Sequence, residues 1–263
     1  MSTRAPLIKF LAAPIVLAGF AFPCALFGQA APNQPQQLAD AIAAVKSGDF
    51  FPSHVEVITK AKAVQAIPIL EEQFARTQDE TNKGKIASSL VTLGDKDNTY
   101  WNYLLQQATL AVDSDLPFPI DYAQADKSSV QFPPDLIAWA KAHNVSANSA
   151  AEGALYDLPG KLLLLGSTGE PRGTPLLQRA LLSRNPLIVV AAAKGLAQSQ
   201  DKDSIPLIIA ACRANPTLAA LIAEPLVYFD DPRAQRAVDT YIPKDRAKIL
   251  RDAKAQGSTP FGF

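Results

Sequence analysis

Two stretches, LGDKDNTYWNYLL (Leu93–Leu105) and AQSQDKDSIPLII (Ala197–Ile209), place the same Asp-Lys-Asp at the end of one apolar run and the start of the next. Such a triplet is either a carboxylate pair for metal or acid–base chemistry or a turn used twice. Calcium takes about six to eight oxygen ligands, and neither stretch has the ligand spacing of a helix–loop–helix calcium site. A proline follows at 206, where the first turn of a helix loses nothing by lacking an N–H. Asp203 or Ser204 stands where a side chain can cap that helix, and the acidic residues face the positive end of its dipole. The triplet therefore reads as a turn between helices.

Aligning the turns gives the architecture. Glu170-Pro171-Arg172 precedes Pro175, and Asp201-Lys202-Asp203 precedes Pro206, an offset of 31 residues in both cases. Asp230-Asp231-Pro232-Arg233 follows 29 to 30 residues later, and Ile67-Pro68-Ile69-Leu70 matches Ile205-Pro206-Leu207-Ile208. From residue 41 onward apolar residues recur at three- and four-residue spacing, with little period-two alternation. Self-similarity near thirty residues, with two helices per unit, predicts an all-α solenoid of stacked antiparallel helical hairpins. One hairpin cannot bury its own apolar stripe, so the units must stack.

The segments AIPILEEQF…GKIASSLVTLGDKD (66–97), GTPLLQRALLSRNPLIVVAAAKGLAQSQDKD (173–203) and SIPLIIAACRANPTLAALIAEPLVYFDD (204–231) resemble HEAT repeats, in the short bacterial form also seen in phycobilin lyases. The resemblance covers about residues 55–105 and 155–242 and implies a HEAT/armadillo-like superhelix. It also implies that second helices, which carry Lys161 and Lys194, line the concave face. It does not by itself imply a function, because such units are reused as scaffolds.

Between Val112 and about Gly153 the period fails, and a long proline-rich insertion intervenes. It reads either as a surface excursion between repeats or as a binding loop, since long loops in compact domains are often functional. This one holds Phe118, Tyr122, Phe132 and Trp139. The expected organisation is a secretory signal over 1–30, a linker over 31–40, HEAT-like repeats over 41–112, the insertion over 113–153, further repeats over 154–255 and a flexible tail over 256–263. The signal rests on Arg4 and Lys9 before an apolar stretch, with small residues up to Ala30. It implies export to the periplasm or beyond, with no membrane association after cleavage.

Lysine plus arginine and aspartate plus glutamate both total 25, so the chain lacks the basic excess of a nucleic-acid binder. Without Cys24, Cys212 stands alone and suits neither an intramolecular disulfide nor a cysteine metal site. It sits in an apolar helical run and reads as core. The two histidines, His54 and His143, lack metal-ligand spacing and read as capping or surface residues. Pro225 falls inside a second helix and is expected to kink or divide it.

No catalytic residue, cofactor or metal is expected. The reading is a non-catalytic protein–protein interaction scaffold, the alternative a ligand- or chromophore-binding, lyase-like enzyme subunit. Candidate partner-binding residues are Trp101, Phe118, Tyr122, Phe132, Trp139, Lys161 and Lys194.

Overall fold

The computed structural model describes residues 34–120 and 132–261. The expected signal over 1–30, the candidate Tyr122 and the last two residues lie outside them. The described residues form six stacked helical hairpins. Helices α1 (Gln34–Ser47) and α2 (Pro52–Lys60) make the first, α3 (Ile67–Arg76) and α4 (Glu80–Thr92) the second. Helix α5 (Asn98–Val112) opens the third, and α8 (Leu158–Ser167) closes it. Between them stand α6 (Pro134–Ala142) and α7 (Ala147–Glu152). The last three hairpins are α9 (Thr174–Ala180) with α10 (Pro186–Gln198), α11 (Ile205–Ala214) with α12 (Ala219–Ala223), and α13 (Pro232–Tyr241) with α14 (Lys244–Ala255).

Second helices pack in sequence, α2 on α4, α4 on α8, α8 on α10 and α10 on α12. One apolar core runs between the two layers, from Ala41 to Leu250. Helix α10 lies deepest and is apolar almost all round, as a helix enclosed on most sides must be. Where α8 and α10 cross, a Cβ on Gly166 would lie 2.7 Å from the Cα of Gly195. Two glycines thus let the backbones approach more closely than any other residue permits.

The insertion interrupts one hairpin rather than separating two groups of repeats. Helix α5 packs on α8 across it, and Ser88 of α4 shares a 2.9 Å hydrogen bond with Ser167 of α8. The expected division at 112 and 153 therefore falls inside a continuous stack. Helices α6 and α7 carry a small core of their own, Leu136, Ala140, Ala150 and Ala151.

The DKD triplets are turns, but the two copies work differently. Each helix before them ends on a left-handed residue, Gly94 (φ +87°) or Gln200 (φ +57°). The next N–H reaches back to close the turn: Asp95 to Leu90 O at 3.0 Å, Asp201 to Leu196 O at 3.2 Å. In the first copy Asp97 caps α5 by accepting from Thr99 N–H at 2.8 Å. In the second, neither Asp203 nor Ser204 caps α11 through its side chain, contrary to expectation. A 3₁₀ turn over Lys202–Ser204 leads into α11 instead. The buried Ser204 hydroxyl donates to Asp201 and accepts from Gln178 Nε2 at 2.9 Å, tying the turn to α9.

Two expected boundaries are corrected. Residues 34–40 of the supposed linker are helical, because Leu38 lies on the apolar stripe of α1 and packs on the core. Residues 256–261 of the supposed flexible tail fold back. Gly257 turns the chain at φ +89°, Ser258 bonds Tyr228 at 3.0 Å, and the Phe261 ring reaches Gly166, where a Cβ would lie 3.3 Å from its Cζ. Pro225 acts as expected: α12 stops at Ala223, and a 3₁₀ segment, Glu224–Tyr228, continues.

Candidate functional site

The candidate residues fall in three places rather than one. Trp101 projects from α5 into the core and is 5% exposed. The Arg172 guanidinium covers its ring at 4.6 Å and Gly173 lies against its edge. Trp101 is therefore packing, which corrects its place among partner-contacting side chains. The sequence could not separate it from its neighbours, because Tyr100, Trp101 and Tyr103 crowd one turn of a helix: Tyr100 and Tyr103 both pack edge-on to Phe74, whereas Trp101 turns to Arg172. Tyr100 turns out buried as well, edge-on to Phe74 at 5.0 Å.

The insertion brings Phe132 and Trp139 together against the small α6–α7 core. Trp139 donates from Nε1 to Asp115 Oδ1 at 2.8 Å and stacks on His143 with ring centres 3.9 Å apart. Both aromatics are half-buried, as is Phe118. His143 is thereby spent on stacking and on a 2.9 Å contact with the Trp139 carbonyl. His54 accepts from the Phe51 N–H at 3.1 Å and closes the start of α2, the capping role expected of it.

Lys161 and Lys194 stand on α8 and α10, neighbouring helices of the second-helix layer. Lys194 is half-buried, and desolvation lowers its pKa; Glu224 opposes the shift and Arg246 adds to it. Arg246 clamps Glu224 through two bonds, Nε to Oε1 at 2.7 Å and Nη2 to Oε2 at 3.1 Å. The break at Pro225 puts Glu224 where α14 can reach it. No local pattern announces this three-residue array, since its members lie on α10, on the 3₁₀ segment after α12 and on α14.

Cys212 is fully buried, and desolvation pushes its thiol up to about 12, where it is no nucleophile at neutral pH. Partial burial raises the Glu71 carboxyl above its ordinary value, helped by a hydrogen bond with Asp95 and the charges of Asp95 and Asp97. Asp97 shifts the other way, held down by the Thr99 hydrogen bonds. The first DKD thus carries a cap and a carboxyl pair. Among the described residues no group of three or more His, Cys, Asp or Glu side chains could hold a metal ion.

Comparison with known proteins adds one match. The PBS lyase HEAT-like repeat family matches residues 188–213, from Ile188 in α10 to Arg213 in α11. The matched window is centred on the second DKD turn and holds most of the helix before it and of the helix after it. No curated protein and no solved structure matches the chain.

Proposed function

From the premise that this chain is a HEAT-repeat protein, we propose that it is a non-catalytic scaffold that binds another protein across its second-helix layer. One observation carries the reading. Helices α2, α4, α8, α10 and α12 pack in a continuous row that passes the insertion without a break. A row of this kind offers an extended surface of the sort solenoids use for partners. The PBS lyase in the family's name suggests a ligand-binding enzyme as the other reading. The scaffold is favoured by the structural employment of His54, His143 and Cys212. The basic, apolar and small-residue succession in residues 4–30 supports export to the periplasm or cell envelope.

The test uses immobilised residues 31–263 in an envelope extract, with mass spectrometry of what is retained. The expected result is one dominant protein, lost on K161E while the melting temperature stays within about 1 °C of the parent, as befits a surface substitution. Retention of a pigment or small molecule in place of a protein would overturn the scaffold in favour of the ligand-binding reading.

A further inference from the structure

A second surface lies on the first-helix layer, on the other side of the hairpins from Lys161 and Lys194. Helix α11 presents Pro206, Ile209 and Arg213 along one stripe, and α13 presents Arg233, Arg236, Ala237, Thr240 and Tyr241 along another. The spacings are three, four, seven and eight residues, which is one face of a helix in each case. The two stripes border an open groove of about 390 Å³. Its floor is apolar, from Ile209, Ala237 and Tyr241, and its rims carry arginine. Helix α13 has 10 residues, so the groove runs for about 15 Å at 1.5 Å per residue.

The charges on the rims are unevenly balanced. Nine arginines lie among the described residues, and six of them meet a carboxylate: Arg76, Arg172, Arg179, Arg233, Arg246 and Arg251. Arg233 is held by Asp231 at 2.9 Å and lends the Lys202 carbonyl a 3.4 Å contact. Of the remaining three, Arg213 and Arg236 both border this groove. Among the described residues their guanidiniums have no carboxylate within salt-bridge distance, and Asp239, on the same helix as Arg236, is taken by Arg251 at 2.7 Å.

We propose that the α11–α13 groove docks a short acidic segment of a partner protein, whose carboxylates pair with Arg213 and Arg236 while an apolar side chain lies on Ile209 and Tyr241. Guanidinium and carboxylate match in charge and in planar geometry. The apolar floor supplies contact area that a free anion would leave uncovered. A nucleic acid calls for a longer basic stripe and a basic excess, whereas this chain has a formal net charge of zero. The site is independent of the second-helix surface, and K161E leaves it intact.

The test is fluorescence anisotropy of a labelled hexapeptide, glutamates flanking a central phenylalanine and leucine, titrated with the 31–263 chain at low and high salt. Binding is expected at low salt, weaker at high salt, and weakened about tenfold or more by R213E/R236E, since each reversal turns an attraction into a repulsion. R184E, which reverses an arginine outside the groove, is expected to leave binding unchanged. Circular dichroism checks that each variant folds, and R213Q/R236Q replaces the reversal if it does not. Absence of binding at low salt, or binding indifferent to both double substitutions, overturns the proposal. Equally tight, Arg213- and Arg236-dependent binding of a single-stranded oligonucleotide would overturn the acidic protein segment as the occupant.

Discussion

Asn185 does more than its place at the start of α10 announces. Its Oδ1 accepts from Leu187 N–H at 2.9 Å, the usual cap, while its Nδ2 donates to the Ala154 carbonyl at 2.6 Å from beneath the insertion. It is 4% exposed, so both bonds are made away from water. N185A is expected to cost about 2–3 kcal/mol, a lost cap plus an orphaned carbonyl, read by urea denaturation. N185D keeps the cap but sets a carboxylate against a carbonyl. Its loss of stability is expected to shrink as pH falls and the carboxyl takes a proton. Gly94 offers a cleaner case. A Cβ there meets nothing within 4 Å, so G94A tests conformation alone and should cost about 1 kcal/mol for holding alanine in the left-handed region. Asp231 supplies the pH dependence. Its hydrogen bonds to the Arg233 side chain and backbone N–H hold it at about 2, below the ordinary 3.8. A depressed carboxylate stabilises the fold fully above its unfolded value and loses that contribution as pH falls. The difference in melting temperature between the parent and D231N should therefore narrow between about pH 4 and pH 2.

Helices meet their neighbours through small residues at defined heights. Gly166 and Gly195 are the tightest such meeting, and G195A would set a methyl 2.9 Å from both the Gly166 Cα and Leu177 Cδ1. Backbone cannot move aside as a side-chain end can, so α8 and α10 must part. G195A is expected to cost about 1–3 kcal/mol, the usual range for overpacking, with a lowered thermal midpoint as readout. Element identity and order were legible in the sequence at this scale, because capping, proline placement and three-to-four spacing are local. The division of labour within DKD was not. Asp201 is drawn into a bond with Ser204 and Gln178 because α9 lies alongside, and no residue near position 201 in sequence records that neighbour.

At the scale of the molecule, one main core spans the stack and a second, smaller one belongs to α6 and α7. The ends of the insertion come together, since a Cβ on Gly153 would lie 3.4 Å from Leu116. Replacing residues 117–152 by a short Gly–Ser link should therefore leave the helical circular-dichroism spectrum per residue and the cooperativity of unfolding essentially intact. Loss of cooperative unfolding would show instead that α5 and α8 need the satellite to stay paired. The sequence by itself determined the helical hairpins, their turns, their thirty-residue repeat and the place where the repeat fails, because each is written in the spacing of neighbouring residues. Only the tertiary structure decided that the failure lies inside a hairpin, that Trp101 is core, that residues 256–261 return to α8, and that Arg213 and Arg236 border one groove with no acidic partner among the described residues. Exposure and pairing depend on what stacks against a residue from distant parts of the chain, and a periodic pattern leaves that neighbour unnamed.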